Sequence, residues 1–465
     1  MAHDDLRTGL RIANPPDPEA LTREKARLGA VAGQGWLAQG RAYWGLLGPG
    51  FLQSAMTLGG GTATAAIFAG AVFGYALLWV APVAMLLGVS VLAAVSHQTL
   101  STGMRPFEAM RRYAGAPIAW SWATGALLAS IIWHFSHYAL ASALVVDVGS
   151  ILGFRLSPIA AGVAVLAWAV SLSLLYGRSE AWLRTYERLL KYMVWFVILC
   201  FGFVVSQTGI SDWGALGRGF LAFEIPQGRA GIIGATVVLS GLSAAVGVNQ
   251  LFLYPYTLLA RGWGREHRRL AHVDLLVGTF GPYLLATSLI VIATANTIHL
   301  DPAYDGTRLS PVEAAQSLAG VIGPAFGRVV FDLGVLGMVL SSMTLHMLAC
   351  GFVCSEVFGW EFGGRRYQLA TLLPLPGILG CVYWSEIAVW VAVPTNIVCG
   401  LFLPLVYFGI VRLQRSRGYL GDDRPQGLLG GVWLLGMAAG TLLLTTFFVW
   451  YLLTNGPAYF SGLFG

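Results

Sequence analysis

Apolar residues run along this chain in blocks separated by short polar and basic loops, and about 20 residues of helix cross a bilayer. Eleven blocks are expected to span: 44–67, 70–96, 117–146, 157–176, 190–208, 230–259, 272–297, 329–352, 368–384, 386–411 and 428–453. Two carry an interruption. In the first, Gly59-Gly60-Gly61-Thr62 occupies the middle of the block, where each glycine costs a helix about 1 kcal/mol relative to alanine. In the sixth, the middle reads Ser243-Ala-Ala-Val-Gly-Val-Asn-Gln, with Pro255 beyond it. Glycines also serve close helix–helix packing in membranes, which is the competing reading. Backbone unwound in lipid has to face a cavity or other protein, because each unpaired group there costs several kcal/mol. Interrupted helices five spans apart are the mark of two inverted five-helix halves with a midplane site. The repeat is inferred from spacing alone.

The basic residues give the orientation. Of 28 Lys and Arg, 23 lie in the N-terminal tail and on alternate loops; Arg155, Arg218, Arg229, Arg308 and Arg328 lie on the other side. By the positive-inside rule the N-terminus is cytoplasmic and the C-terminus external, as an odd number of spans requires. The expected division is a tail over 1–43, a first half over 44–208 and an external linker over 209–229. A second half over 230–411 and a closing segment over 412–465, with an eleventh helix, follow. The tail is expected to be partly disordered, ending in an amphipathic piece near Leu28–Gln39.

Composition agrees: 56% of residues are hydrophobic and 11% charged, against about 25% charged in a soluble domain. The mean hydropathy is +0.69. All five cysteines fall in apolar spans, the pattern of buried thiols rather than of a disulfide framework. The net charge of +6 is explained by its place on one side of a membrane, so no nucleic-acid partner is implied. The setting expected is the bacterial plasma (inner) membrane.

From Gly48 to Trp79 the chain resembles the NRAMP family of proton-coupled divalent-metal transporters. Gly48-Pro-Gly-Phe-Leu matches the opening of that family's first helix, and Phe73-Gly-Tyr-Ala-Leu-Leu-Trp-Val that of its second. The resemblance continues at Ser243–Arg261, Asp274–Ala295, Leu333–Gly351 and Thr395–Pro404. It implies an all-α, LeuT-like fold of two inverted five-helix repeats, with helices one and six broken.

The match fails at the residues that hold metal. The family's Asp-Pro-Gly-Asn supplies an acid and an amide where this chain has Gly59 and Thr62. Its alanine carbonyl, methionine sulfur and nearby histidine fall at Ala244, Gly247 and Asn249, or, on a rival alignment, with Val238 and Ser240 in the series. The glutamine of helix ten becomes Asn396. A binding site of Gly59, Gly60, Gly61, Thr62, Ala244, Gly247, Asn249 and Asn396 has neither the carboxylate that hard divalent ions favour nor the thioether that softer metals favour. It offers neutral dipoles, and half-helix N-termini favour anionic groups.

Histidines carry the second departure. Ser130-Ile-Ile-Trp-His-Phe-Ser-His sets His134 and His137 three apart on one helix face, where the family keeps two carboxylates along its proton route. Imidazole titrates near neutral pH, so both are proton-pathway candidates; a neutral structural pair is the alternative. Asp147, His97 and His346 read as structural, and Asp274 as a loop anchor. Gln53, Gln250, Tyr254 and Tyr256 are weaker pathway candidates.

The leading expectation is therefore a proton-coupled secondary transporter of a small polar organic solute, without cofactor or bound structural metal. The first alternative is a divalent cation such as magnesium, carried with much of its hydration shell. The second is a receptor or scaffold of the same fold. No serine, cysteine or paired-carboxylate constellation stands near the site, so an enzyme is not expected.

Overall fold

The computed structural model describes residues 10–176, 178–227, 233–302, 304, 309, 311–316, 323, 325–385 and 388–464. Among them the only β pairing is an isolated bridge between Ile12 and Phe362. Nine described helices are long and apolar enough to cross a membrane, and ten if the bent pair Pro49–Thr57 and Gly60–Phe73 counts as one span.

The first block is broken as its glycines predict, slightly earlier than the centre of the Gly-Gly-Gly run. Pro49–Thr57 ends at Leu58 (ψ 56°), Gly59 is extended, and Gly60–Phe73 resumes at a bend of 52°. Proline at the start of the first half-helix removes an N–H that had no intrahelical partner. The sixth block divides into Gly234–Ala245 and Val248–Ala260, with Val246 and Gly247 extended between them.

The span expected over 368–384 does not form one continuous helix. Arg365–Ala370 gives way to a 3-10 turn over Leu375–Leu379 and a single helical turn at Gly380–Tyr383. Pro374 and Pro376 remove helical donors. Gly377 and Gly380 lie so close to the helix Ala116–Ile151 that a Cβ would meet His134 and the Phe135 carbonyl. Close approach, rather than apolarity, shapes this segment. The tail also differs from expectation: it forms two helices, Pro18–Val31, capped by Asp17, and Trp36–Trp44. Residues 1–9 lie outside the described part.

Two long helices, Ala116–Ile151 and Phe326–Phe358, pack along each other at the centre, and Glu180–Thr208 packs on the second. Gly60–Phe73 lies against Gly281–Ala295. Lipid is as apolar as leucine, so small residues that let backbones approach hold such bundles together. At Gly70 a Cβ would run into the Val291 carbonyl, and at Gly334 it would press on Phe201. This packing fixes Ser130, Trp133 and His137, all buried on one helix, against the chain breaks, with His134 buried behind them beside Gly377.

Candidate transport site at the helix breaks

Between the two breaks lies a cavity of about 20 Å³, room for one water-sized occupant. Its walls are Met56, Thr57, Gly59, Gly61 and Thr62 from the first break and Ala244, Gly247, Asn249 and Gln250 from the second. Trp133, His137 and His346 complete it. No carboxylate, lysine or arginine is among these residues. Larger crevices of about 350 and 370 Å³ lie elsewhere, one beside the tail helix and Arg261, the other around Gly74, Ser211 and His299.

Hydrogen bonds bind the two breaks together. The Thr62 hydroxyl donates to the Thr57 carbonyl (2.5 Å), and the Ala244 carbonyl stands 3.4 Å from it. The Thr57 hydroxyl donates to Gln250 Oε1 (2.9 Å), and Gln250 Nε2 reaches back to the Gln53 carbonyl (3.2 Å). Asn249 donates to Ser130 Oγ at 2.9 Å and accepts from the Gln250 N–H.

Of the expected binding residues, Gly59, Gly61, Thr62, Ala244, Gly247 and Asn249 line this cavity, as does His137 of the two proton-pathway candidates, while His134 does not. Gly60 and Asn396 are not in its wall. Gly60 directs its N–H at His137 Nε2 (3.3 Å). Asn396 is fully buried, donates to the Gly61 carbonyl (3.0 Å) and Ser240 Oγ (2.9 Å), and accepts from the Trp133 indole (2.8 Å). It braces both broken helices against the histidine-bearing one.

His137 Nδ1 lies 2.6 Å from the Trp133 carbonyl, and His134 Nδ1 lies 3.0 Å from that of Ser130. A carbonyl only accepts, so each Nδ1 carries the proton and each Nε2 presents a lone pair. The Nε2 of His137 faces the break, 2.8 Å from Ser342 Oγ; the Nε2 of His134 is buried without a partner. His346, expected to be structural, stands in the cavity wall with a buried, unpartnered Nδ1. Its ring centroid is 5.1 Å from that of His137 and 5.7 Å from that of His134. The signal for it was present: an ionisable side chain in mid-span is a functional candidate by default.

The space opened by small residues is already taken. A Cβ on Gly59 would stand 2.7 Å from Ser342 Oγ and 3.2 Å from His137 Nε2, and one on Gly247 would stand 2.7 Å from the Trp133 ring. Glycine here makes way for side chains of the third and eighth helices.

Other expectations resolve individually. Asp274 is buried and caps the first half-helix, accepting from the N–H groups of Gly48 (3.1 Å) and Gly50 (2.6 Å). Asp147 pairs with Arg328. His97 bonds to the Asp423 carbonyl at 2.7 Å. The Tyr254 hydroxyl reaches the Ala271 carbonyl at 3.5 Å, and that of Tyr256 accepts from the Phe107 N–H (3.3 Å).

The chain is 26% identical over 425 residues to a divalent metal cation transporter of Mycobacterium leprae, covering 87% of this chain and 91% of that protein. A divalent metal cation transporter of Pseudomonas aeruginosa is 25% identical, with the same coverage. Among solved structures, a manganese transporter of Eremococcus coleocola superposes with a TM-score of 0.68 at 14% identity, covering 100% of this chain and 94% of that one. A nucleobase-cation-symport-1 family transporter superposes at 0.54 and 15% identity, covering 87% and 92%. These likenesses give the LeuT-like transporter fold. The family model described as natural resistance-associated macrophage protein-like matches residues 50–451, and the chain belongs to this Nramp family of membrane transporters.

Proposed function

We propose that the chain carries a divalent metal cation, bound singly between the two helix breaks. The cavity's size carries this reading: at about 20 Å³ it suits one ion stripped of most of its water. The relatives named as divalent metal cation transporters, aligned over 87% of this chain, support it. The organic-solute expectation rested on the lost carboxylate and thioether and also needs room for a solute that brings its own charges. His137, Ser342 and Trp133 stand in the space beside Gly59 and Gly247, which counts against so large an occupant in this conformation. A magnesium ion keeping several waters is likewise larger than the space.

In this reading Gly59, Gly61, Thr62, Ala244, Gly247 and Asn249 form the wall, Gly60 holds His137, and Asn396 braces the breaks. Neutral donors bind a divalent ion weakly, which favours release over storage. His134 and His137 serve the proton route, each with Nε2 as the accepting atom while no ion is bound. The halves 44–208 and 230–411 rock about the site, between the tail over 1–43 and the closing segment over 412–465, with the linker 209–229 external and the N-terminus cytoplasmic.

Uptake into proteoliposomes tests the proposal, using manganese, cobalt, zinc and magnesium beside amino acids, polyols, carboxylates and amines. Uptake of at least one divalent cation above that of empty vesicles is expected. Organic-solute uptake with no cation uptake would overturn the proposal.

A further inference from the structure

The family's acid on the first helix and sulfur on the sixth are absent here, yet the cavity between the breaks does not lack donors. His137 and His346 both line it, on the helices Ala116–Ile151 and Phe326–Phe358. His137 presents an unprotonated Nε2 toward the break, and His346 is 3% exposed with an unpartnered Nδ1. A buried polar nitrogen without a partner costs about 1–3 kcal/mol, and a ligand that takes its lone pair removes that cost. The ring centroids are 5.1 Å apart with planes at 62°. Two imidazoles sharing a tetrahedral ion, at about 2.1 Å per bond, have centroids about 5 Å apart.

We propose that the donor set has moved from the broken helices to the third and eighth helices, where His137 and His346 bind a nitrogen-preferring d-block cation of the zinc and nickel class. This rests on the cation-transport reading above. Among the described residues no three histidine, cysteine or carboxylate side chains are grouped to hold a metal, so the remaining ligands are other atoms of the wall, which also holds the Met56 thioether. Asn249 and Thr57, in the same wall, supply them. On binding, His137 Nε2 gives up its hydrogen bonds to Gly60 and Ser342 and donates its lone pair to the ion; no proton need leave, because Nδ1 already carries it. Imidazole favours zinc, copper and nickel, whereas manganese and magnesium favour carboxylate and other oxygen. His134, its Nε2 buried and free, stands behind as a third imidazole.

Binding of zinc, nickel and manganese, each alone, to the purified full chain tests this, with cobalt(II) absorption reporting the ligand type. Zinc or nickel is expected to bind more than about tenfold tighter than manganese. His346→Gln is expected to weaken zinc by more than about tenfold, the least that losing even an outer-shell partner of a metal ligand costs, and to leave manganese unchanged. His346→Cys, which keeps a metal-binding side chain, is expected to retain zinc. The cobalt spectrum of the wild type, which needs no variant to fold, is expected to show nitrogen ligation. Equal zinc and manganese affinities that His346→Gln does not alter would overturn the imidazole site while leaving cation uptake intact. Absence of both metal binding and metal uptake would overturn the site and the transport proposal together.

Discussion

Gly59 and His137 form a reciprocal pair. At Gly59, where the resemblance sets the family's metal-binding acid, a side chain would collide with Ser342 Oγ and His137 Nε2. Restoring the acid by Gly59→Asp is therefore expected to lower the melting temperature, not to create manganese preference; robust manganese-selective uptake by this variant would contradict the geometry. Asn396 makes a different kind of contribution, since its three hydrogen bonds hold the Gly61 carbonyl, Ser240 and the Trp133 indole together. Asn396→Ala strands a buried indole N–H and is expected to cost about 1–3 kcal/mol, measurable by thermal or denaturant unfolding in detergent. The glycines and the His134–His137 pair were legible because they break local rules, glycine within a helix and imidazole within a membrane span. His346 carries the same local signal, but what gives it meaning is a neighbour some 200 residues away, and helix spacing reports only nearby contacts.

At the scale of elements, the two breaks were readable and the ninth span was not. Breaks follow from backbone chemistry in the chain itself: Gly59 and Gly247 each begin a half-helix from an extended conformation. The segment 368–384 is apolar enough to span, but Pro374, Pro376, Gly377 and Gly380 are there to fit the surface of Ala116–Ile151. Gly380→Ala places a methyl group against the Phe135 carbonyl. It is expected to destabilise by about 1–3 kcal/mol, the usual range for overpacking, whereas alanine at Gly431, which has open space around it, should be nearly neutral. Comparing the two unfolding midpoints checks this.

Over the whole molecule, the tail ties the ends of several helices together. Ile12 and Phe362 form a bridge, Lys25 pairs with Glu266 at 3.6 Å, and Glu24 lies 3.3 Å from His267. Burial raises the Glu24 carboxyl, but contact with His267 and the nearby Arg261 outweigh it and hold it below the usual range. A depressed carboxylate stabilises docking fully above its free value of about 4.3, and the contribution fades as pH falls through the lower docked value. Protease cleavage within the tail is thus expected to be slow at neutral pH and to accelerate only below about pH 4. Glu24→Gln should be cleaved faster at neutral pH and lose most of that acid dependence. Unchanged cleavage would mean that the tail is held by other contacts.

Whether one metal ion occupies the space between the breaks is read out by anomalous diffraction from crystals grown with zinc or manganese. A single anomalous peak among Gly59, His137, Asn249 and His346, stronger with zinc, is expected. Anomalous peaks confined to other parts of the molecule, or organic density in that space with no metal, would contradict it.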